Sequence, residues 1–309
     1  MRIIFMGTPE FAVPCLDMLV KEGYDVAAVI TQPDKPKGRG NRLAAPPVKE
    51  YALEHGLEVL QPVKVRTKEY ALQLRSYKPD LFVTCAYGRI LTGEVLGIPP
   101  MGCINVHASL LPLYRGAAPI QWAIINGEKE TGITTMYTDE GLDTGDMLLK
   151  KAIAITDDMT AGELHDKLSV MGAEVLKETL EKLKEGKLER IPQPEGATYA
   201  PIIEKDMGRI NWSKPALHIH NLVRGTDPWP GAFTTYANGR MRIWKTQVVD
   251  GSKEGLEPGT ILKVSKEGIF AACGSGVVKI TEIQTDSGKR MSVQSYIMGH
   301  KIIEGEKFE

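Results

Sequence analysis

The sequence predicts an α/β domain with a mostly parallel sheet, followed by a small β-barrel domain. Apolar, strand-like runs alternate with amphipathic helical segments over roughly the first 185 residues, the pattern of a parallel sheet covered by helices. A proline-rich stretch then interrupts this periodicity. Short strand-like runs separated by turn residues occupy most of the remainder, and 309 residues are enough for two domains.

The strands of the first part are predicted from wholly or almost wholly apolar runs, which are typical of strands buried on both faces. These runs span residues 2–5, 25–30, 81–85 and 102–106. Segments with helical spacing at 11–19, 47–54 and 120–125 are predicted to cover the sheet.

The clearest helix is predicted over residues 161–185. Thr160 and Glu163 have the spacing of a capping box at its start, and Gly186 follows its end. Apolar residues at three- and four-residue intervals form one face, which we expect to pack in the core. They are Leu164, Leu168, Met171, Val175, Leu176, Leu180 and Leu183.

The composition changes after this helix. Residues 190–201 contain three prolines and no periodicity, which predicts an extended linker over 190–205. A short helix at 215–223 and strand-like runs at 232–236, 241–249, 260–264, 269–272 and 277–283 follow. The predicted domains are therefore 1–189 and 206–309, the second a small β-barrel.

Cysteine usage favours a reducing compartment. The four cysteines, Cys15, Cys85, Cys103 and Cys273, include no C-x-x-C pair, so we expect buried free thiols rather than disulfides or a metal site. The sequence shows no signal-like segment and no apolar run long enough to span a bilayer. The cytoplasm is the expected location.

The net charge of −1 hides a local basic segment. Residues 34–49 carry Asp34 and five basic residues, Lys35, Lys37, Arg39, Arg42 and Lys49, for a net charge of +4. Residues 1–205 as a whole carry −4. A loop of this kind can bind phosphate groups, and a solvated surface loop is the alternative.

The turn after the first strand argues against a dinucleotide site. Residues 7–11 read Gly-Thr-Pro-Glu-Phe, so G-x-G-x-x-G is absent and Pro9 stands where a backbone amide would face a pyrophosphate. The turn is either a substrate contact or only a tight entry into the first helix.

The most informative polar residues lie between 103 and 146. Asn105 and His107 are two apart at the end of an apolar strand, so their side chains leave the same face of the sheet. Asp143 lies on a Gly-rich loop and can orient a histidine and favour its protonated form. No Ser or Cys stands beside His107 in nucleophile-like spacing, so we expect the substrate to bring its own nucleophile.

Residues 109–112, Ser-Leu-Leu-Pro, are predicted to form an irregular wall of backbone amides, carbonyls and apolar side chains. Such a wall suits a flat heterocycle. Each polar residue of the region also has a simpler explanation as a strand or turn cap, and their joint spacing favours the functional one.

Several motifs together resemble the folate-dependent formyltransferase superfamily, and within it the methionyl-tRNA formyltransferases, over essentially the whole chain. The superfamily signal is Asn-Val-His-Ala-Ser-Leu-Leu-Pro at 105–112, Arg-Gly-Ala-Ala-Pro-Ile at 115–120 and Gly-Leu-Asp-Thr-Gly-Asp at 141–146. Residues 5–12 and 31–40 resemble the tRNA-modifying branch more closely than the purine-pathway or sugar-modifying branches.

The resemblance implies a Rossmann-like formyltransferase domain and an OB-like, tRNA-binding second domain. It implies that Asn105, His107 and Asp143 are catalytic. It also implies folate contacts and tRNA contacts, the latter on the basic loop. The folate contacts would be Ser109, Leu110, Leu111 and Pro112, and the tRNA contacts Arg39, Lys37 and Arg42. Arg240, Arg242 and Lys245 either contact RNA as well or form a solvated face.

The implied reaction moves the formyl group of 10-formyltetrahydrofolate to the α-amine of methionyl-initiator tRNA, for translation initiation. Asn105 and His107 would hydrogen-bond the oxyanion, and Asp143 would help remove the amine proton. We expect no metal, because the sequence has no cluster with metal-ligand spacing, and we expect a monomer.

Two alternatives stay open on the sequence alone. One is a relative that formylates a small amine, such as an amino sugar or a glycinamide nucleotide; the basic loop and second domain count against it. The other is an RNA-binding protein that keeps a folate-like pocket without turnover.

Overall fold

The structure, a computed structural model, describes residues 1–37, 42–249 and 257–309. Contacts among these residues divide the chain into two compact units. Unit 1 comprises Met1–Pro119, Glu130–Ile153 and His165–Pro201, and unit 2 comprises Ile120–Lys129, Ala154–Leu164 and Ile202–Glu309. Residues 120–129 and 154–164 therefore group with unit 2 although they precede residue 189. The predicted domain limits stay a prediction.

Strands and helices alternate over the first 201 residues. The strands are β1 (Arg2–Gly7), β2 (Asp25–Ile30), β3 (Lys35–Lys37), β4 (Arg42–Ala44), β5 (Val59–Leu60), β6 (Leu81–Cys85), β7 (Cys103–His107), β8 (Arg115–Gly116), β9 (Glu130–Tyr137), β10 (Met147–Ala154) and β11 (Tyr199–Ala200). The helices are α1 (Val13–Lys21), α2 (Pro47–Glu54), α3 (Lys68–Ser76), α4 (Gly93–Leu96), α5 (Pro119–Ile125) and α6 (Ala161–Lys184). The predicted strands and helices of this part are confirmed to within about two residues at each end.

Seven of these strands form one sheet in the order β10-β9-β7-β6-β1-β2-β5. Five neighbouring strands of the sheet pair in parallel, in the order β5, β2, β1, β6 and β7. Strand β9 is antiparallel to β7. β1 and β6 are buried along nearly their whole length, as expected in a parallel sheet covered on both faces. After β1 the chain adds β2 and β5 on one side of it and then β6 and β7 on the other side. The strand order therefore reverses at β1. Open α/β sheets bind ligands beyond the carboxyl ends of such strands.

The capping box at the start of α6 is confirmed. Glu163 accepts from the backbone N–H of Thr160 at 2.8 Å, and the Thr160 hydroxyl accepts from the N–H of Glu163 at 3.2 Å. These bonds satisfy amides that a helix N-terminus otherwise leaves without partners.

Replacing Thr160 by alanine should therefore lower the free energy of unfolding by about 1 kcal/mol. Thr160→Ser keeps the accepting oxygen and should restore most of this loss. Urea unfolding of the two variants measures the difference. Equal stability of Thr160→Ala and the unmodified protein would contradict the capping role.

The described residues of unit 2 that follow residue 201 contain an antiparallel sheet and two α-helices. Its strands are β12 (Ala232–Tyr236), β13 (Gly239–Val249), β14 (Ile261–Ser265), β15 (Gly268–Ala272), β16 (Val277–Thr285) and β17 (Met291–Ser292), and its helices are α7 (Ala216–Gly225) and α8 (Val293–Ile297). The strand order is β12-β13-β16-β15-β14, with β17 on β16. All these pairs are antiparallel, which confirms the β-rich second part.

The last residues of the chain bond to both edge strands of this sheet. Thr235 of β12 and Glu309 exchange two backbone hydrogen bonds of 2.8 and 3.0 Å. The N–H of Ile261, in β14, donates to Glu306 at 2.8 Å. Both open edges thus have backbone partners, which removes the exposed ladder groups that promote aggregation. Within the described ranges, no helix combines the length and apolar character needed to cross a bilayer.

Candidate active site

His107 is the last residue of β7 and is buried, with 6% of its surface exposed. Its Nε2 lies 2.9 Å from the carbonyl oxygen of Tyr114. A carbonyl only accepts hydrogen bonds, so Nε2 carries a hydrogen and donates it. The other ring nitrogen, Nδ1, lies 3.7 Å from Oδ2 of Asp143. The neutral ring therefore presents a lone pair at Nδ1, and the protonated ring presents an N–H there.

Asp143 is held at both its backbone and its carboxylate. The backbone adopts a left-handed conformation with φ of 52°, which aspartate tolerates better than most residues. Oδ2 accepts a 2.8 Å hydrogen bond from the N–H of Gly116. The same oxygen is the one nearest His107, so a single carboxylate oxygen faces a backbone donor and the imidazole together.

Asn105 lies two residues before His107 in β7, on the same face of the strand. The buried hydroxyl of Thr84, on the neighbouring strand β6, donates to its Oδ1 at 2.9 Å. This bond occupies the acceptor side of the amide. The NH₂ group of Asn105 is then the side that can donate to a substrate oxygen.

The three side chains supply what an acyl transfer between two bound substrates needs. Asn105 offers neutral N–H donors. His107 offers a nitrogen that can take or give a proton, and Asp143 offers a negative charge beside it. Because Nε2–H is already engaged by Tyr114, His107 can donate to a substrate from Nδ1 only when it is protonated.

The segment Ser109 to Pro112 is fixed by hydrogen bonds to side chains of β9 and β10. The Ser109 carbonyl and the Leu111 N–H both bond the hydroxyl of Thr134, at 2.7 and 3.2 Å. Nζ of Lys150 donates to the Leu111 carbonyl, and burial lowers the pKa of this lysine. Ser109 and Leu111 are both fully buried. Their side chains therefore belong to the interior. The folate contact predicted for Ser109, Leu110, Leu111 and Pro112 stays a prediction.

The loop after β6 and the Asp143 loop each expose an apolar side chain. Ile90 follows β6 and is 58% exposed, and Leu142, next to Asp143, is 54% exposed. The loops are joined by a 2.9 Å hydrogen bond from the Gly93 N–H to Glu140. Apolar side chains of this kind suit the faces of a flat heterocycle.

Hydrogen bonds also join the turn after β1 to the loop after β6. The Thr8 hydroxyl donates to the Tyr87 carbonyl at 3.1 Å, and Gln32 donates to the same oxygen at 3.0 Å. A Cβ on Gly7 would lie 2.8 Å from the Cβ of Ala12, so the turn into α1 is tight. This packing agrees with the interpretation of the turn as a tight entry into the first helix.

The basic loop rests on an internal network at its base. Lys49 donates to both carboxylate oxygens of Asp34 at 2.9 and 2.8 Å and to Gln61 at 2.8 Å. The hydrogen bond from Lys49 lowers the pKa of Asp34. Lys49 therefore anchors the loop, and its charge is already paired with Asp34.

Two of the three predicted tRNA contacts, Lys37 and Arg42, lie on short strands of the same loop. β3 and β4 pair as an antiparallel ribbon in which Lys37 stands opposite Arg42. For these two residues only the backbone is described, and Arg39 lies outside the described residues. Their contact with tRNA stays a prediction.

Gln193 is a site residue that the sequence did not predict. Its Nε2 donates to the carbonyls of Asp143 and Gly145, both at 2.8 Å. Its Oε1 accepts from Nε and Nη2 of Arg115 at 3.0 and 2.6 Å. Gln193 lies in the proline-rich segment predicted as a linker, where no periodicity marks it. The segment also forms β11, which pairs with β8.

The cysteines offer no nucleophile. Cys15, Cys85, Cys103 and Cys273 are free and buried, as predicted. Burial raises the pKa of the Cys103 and Cys273 thiols to about 11, so both stay protonated near neutral pH. In the described part of the chain, no three His, Cys, Asp or Glu side chains are grouped as metal ligands would be.

Comparison with solved structures supports the fold. The N-formyltransferase from Helicobacter canadensis, in complex with folinic acid and dTDP-3-aminofucose, superposes with a TM-score of 0.68. It is 20% identical, over 91% of this chain and 99% of that one. HypX from Aquifex aeolicus, in complex with tetrahydrofolic acid, gives a TM-score of 0.65 at 19% identity, over 97% of this chain and 47% of the longer HypX chain.

Sequence comparison is more specific. The family model for formyl transferase matches residues 1–180, and that for the formyl transferase C-terminal domain matches 202–301. The methionyl-tRNA formyltransferase of Acetivibrio thermocellus is 65% identical, over 99% of both chains. That of Ruminiclostridium cellulolyticum is 61% identical over the same share. The chain therefore belongs to the formyl transferase family, in its methionyl-tRNA formyltransferase branch.

Proposed function

We propose that this chain transfers the formyl group of 10-formyltetrahydrofolate to the α-amino group of methionyl-initiator tRNA, giving N-formylmethionyl-tRNA. The observation that carries the proposal is the constellation at the end of β7, where Asp143 lies 3.7 Å from Nδ1 of His107 and Thr84 orients Asn105. Membership of the methionyl-tRNA formyltransferase branch supports the two substrates.

Asn105 would donate from its NH₂ group to the oxyanion that develops on the formyl carbon as the amine attacks. One such donor contributes about 3–4 kcal/mol to transition-state stabilisation. Protonated His107 would add a second donor from Nδ1, because Nε2–H stays on the Tyr114 carbonyl.

Asp143 would accept the proton of the attacking amine, directly or through water, and would stabilise the imidazolium of His107. A new C–N bond forms to methionine while the C–N bond to the folate nitrogen breaks, and one proton passes from the amine to that nitrogen. Leu110, Pro112 and the backbone of 109–112 would hold the folate, with Ile90 and Leu142 covering its apolar faces.

The basic loop, residues 34–49, is the proposed tRNA contact, through Lys37, Arg39 and Arg42. Replacing Arg39 by alanine should raise KM for charged tRNA roughly tenfold and reduce the salt dependence of tRNA binding by about one phosphate contact. The kcat at saturating charged initiator tRNA should not change.

Lys21→Ala is a matched control for Arg39→Ala, because Lys21 is an exposed cation outside the basic loop, paired with Asp17. It should leave KM for tRNA unchanged. A lower kcat for Arg39→Ala with an unchanged KM for charged tRNA would reject the basic loop as a tRNA contact.

The decisive test mixes purified protein and 10-formyltetrahydrofolate with charged initiator tRNA, charged elongator tRNA or free methionine, and measures N-formylation of the amino acid. We expect transfer to the initiator alone. Transfer only to small amines would place the chain among the small-molecule enzymes. Initiator tRNA binding with no consumption of the folate would indicate a binding protein without turnover.

We also propose an arrangement in which 1–189 is catalytic, 190–205 a linker and 206–309 an OB-like tRNA-binding domain. The bonding of the C-terminal residues to both edge strands of unit 2 supports a closed, barrel-like sheet. The proposed setting is a cytoplasmic monomer. The four buried free thiols fit a reducing compartment.

A further inference from the structure

Every hydrogen-bonding group of the Gln193 side chain has a partner in the Asp143 loop or in Arg115. A primary amide has two N–H donors and an oxygen that accepts twice. In Gln193 the donors bond the carbonyls of Asp143 and Gly145, and the oxygen accepts twice from Arg115. The side chain therefore joins the Asp143 loop to the residue that directly precedes Gly116.

This connection closes a ring of contacts around Asp143. Gly116 donates to the Asp143 carboxylate, and Arg115, its chain neighbour, binds Gln193. Gln193 in turn binds the Asp143 carbonyl. Asp143 is thus held at its side chain and at its backbone by two consecutive residues and one amide, in a left-handed conformation with φ of 52°.

The rest of the loop is held mainly by contacts that do not reach Asp143. Asp139 accepts from the Gly141 N–H at 3.1 Å and from the Thr144 hydroxyl at 2.7 Å. Glu140 accepts from Gly93. These bonds act at residues 139, 140, 141 and 144, whereas Gln193 acts at residues 143 and 145 themselves.

We propose that Gln193 is a positioning residue for the formyl transfer, which sets the place of the Asp143 carboxylate relative to Nδ1 of His107. The inference rests on the proposed function. Misplacing a catalytic group by about 1 Å can cost on the order of 10²-fold in rate. Gln193 does not need to touch either substrate to have this effect.

Two variants separate the two halves of the amide. Gln193→Glu keeps the length and the acceptor for Arg115 but removes both donors to the loop, and Gln193→Met removes donors and acceptor together. Both should lower kcat by about 10²-fold with KM for either substrate within about twofold of the unmodified protein. Glu195→Gln, an exposed change two residues away, is the matched control and should keep kcat unchanged.

A second measurement does not depend on turnover. In protein labelled with ¹⁵N-histidine, the imidazole signals of His107 should shift in both Gln193 variants, and those of the other five histidines should not. An unchanged His107 spectrum, or a kcat within twofold in both variants, would overturn the positioning role. If the unmodified protein transfers no formyl group, the proposed function fails, and the spectra still decide whether Gln193 positions Asp143.

Discussion

Replacing His107 by glutamine should lower kcat for formyl transfer by about 10²–10⁴-fold. The glutamine amide can still donate to the Tyr114 carbonyl, as Nε2–H of His107 does at 2.9 Å. It has no titratable nitrogen to face Asp143. The change therefore removes proton exchange while the main structural contact is kept, and steady-state kinetics with charged initiator tRNA measures the loss.

The matched control is His55→Gln, since His55 is an exposed histidine that bonds the Tyr51 carbonyl on α2. It should retain full activity. His107→Gln with near-normal kcat, in protein with an unchanged unfolding midpoint, would show that the imidazole takes no part in the reaction. Asn105 alone would then have to stabilise the oxyanion.

Replacing Asn105 by aspartate should lower kcat by about 10²–10³-fold, or about 3–4 kcal/mol in the activation free energy. The carboxylate has the same shape and still accepts from the Thr84 hydroxyl, which bonds Oδ1 at 2.9 Å. It replaces the donating NH₂ by an acceptor and adds a negative charge where negative charge develops. KM should change much less than kcat, because the lost bond forms mainly in the transition state.

Asn211→Asp tests for a general effect of the same substitution, because Asn211 is exposed and its Oδ1 accepts from the Ser213 N–H. It should leave kcat unchanged. If Asn105→Asp instead raises KM and leaves kcat intact, Asn105 binds a substrate in its ground state and is not an oxyanion donor.

The basic loop shows what composition can and cannot indicate. The sequence marks residues 34–49 as strongly basic, and the structure pairs part of that charge internally, since Lys49 holds Asp34 and Gln61 at the base of the loop. Counting charges does not distinguish an anchoring lysine from one available to phosphate. Only the partners of each side chain make that distinction.

Burial is likewise not apparent from the composition of the segment predicted to contact folate. Ser109 to Pro112 is a distinctive run in the sequence, yet Ser109 and Leu111 are fully buried. Leu111 packs with Met136 and Met147, residues of β9 and β10, two strands that the sequence did not predict. Without those strands, the inward direction of Leu111 could not be anticipated.

The sequence by itself determined the kind and approximate limits of the elements with clear apolar periodicity, and the common face of Asn105 and His107. It could do so because apolar periodicity and strand alternation act between near neighbours. Tertiary structure alone decided how Asp143 meets His107 and Gly116, and how Gln193 reaches Asp143 and Arg115, 50 and 78 residues away. The physical reason is that each of these contacts has at least one partner, Asp143 or Gln193, in an irregular segment whose backbone direction follows no period. Their partners are set only when the sheet and its loops have packed.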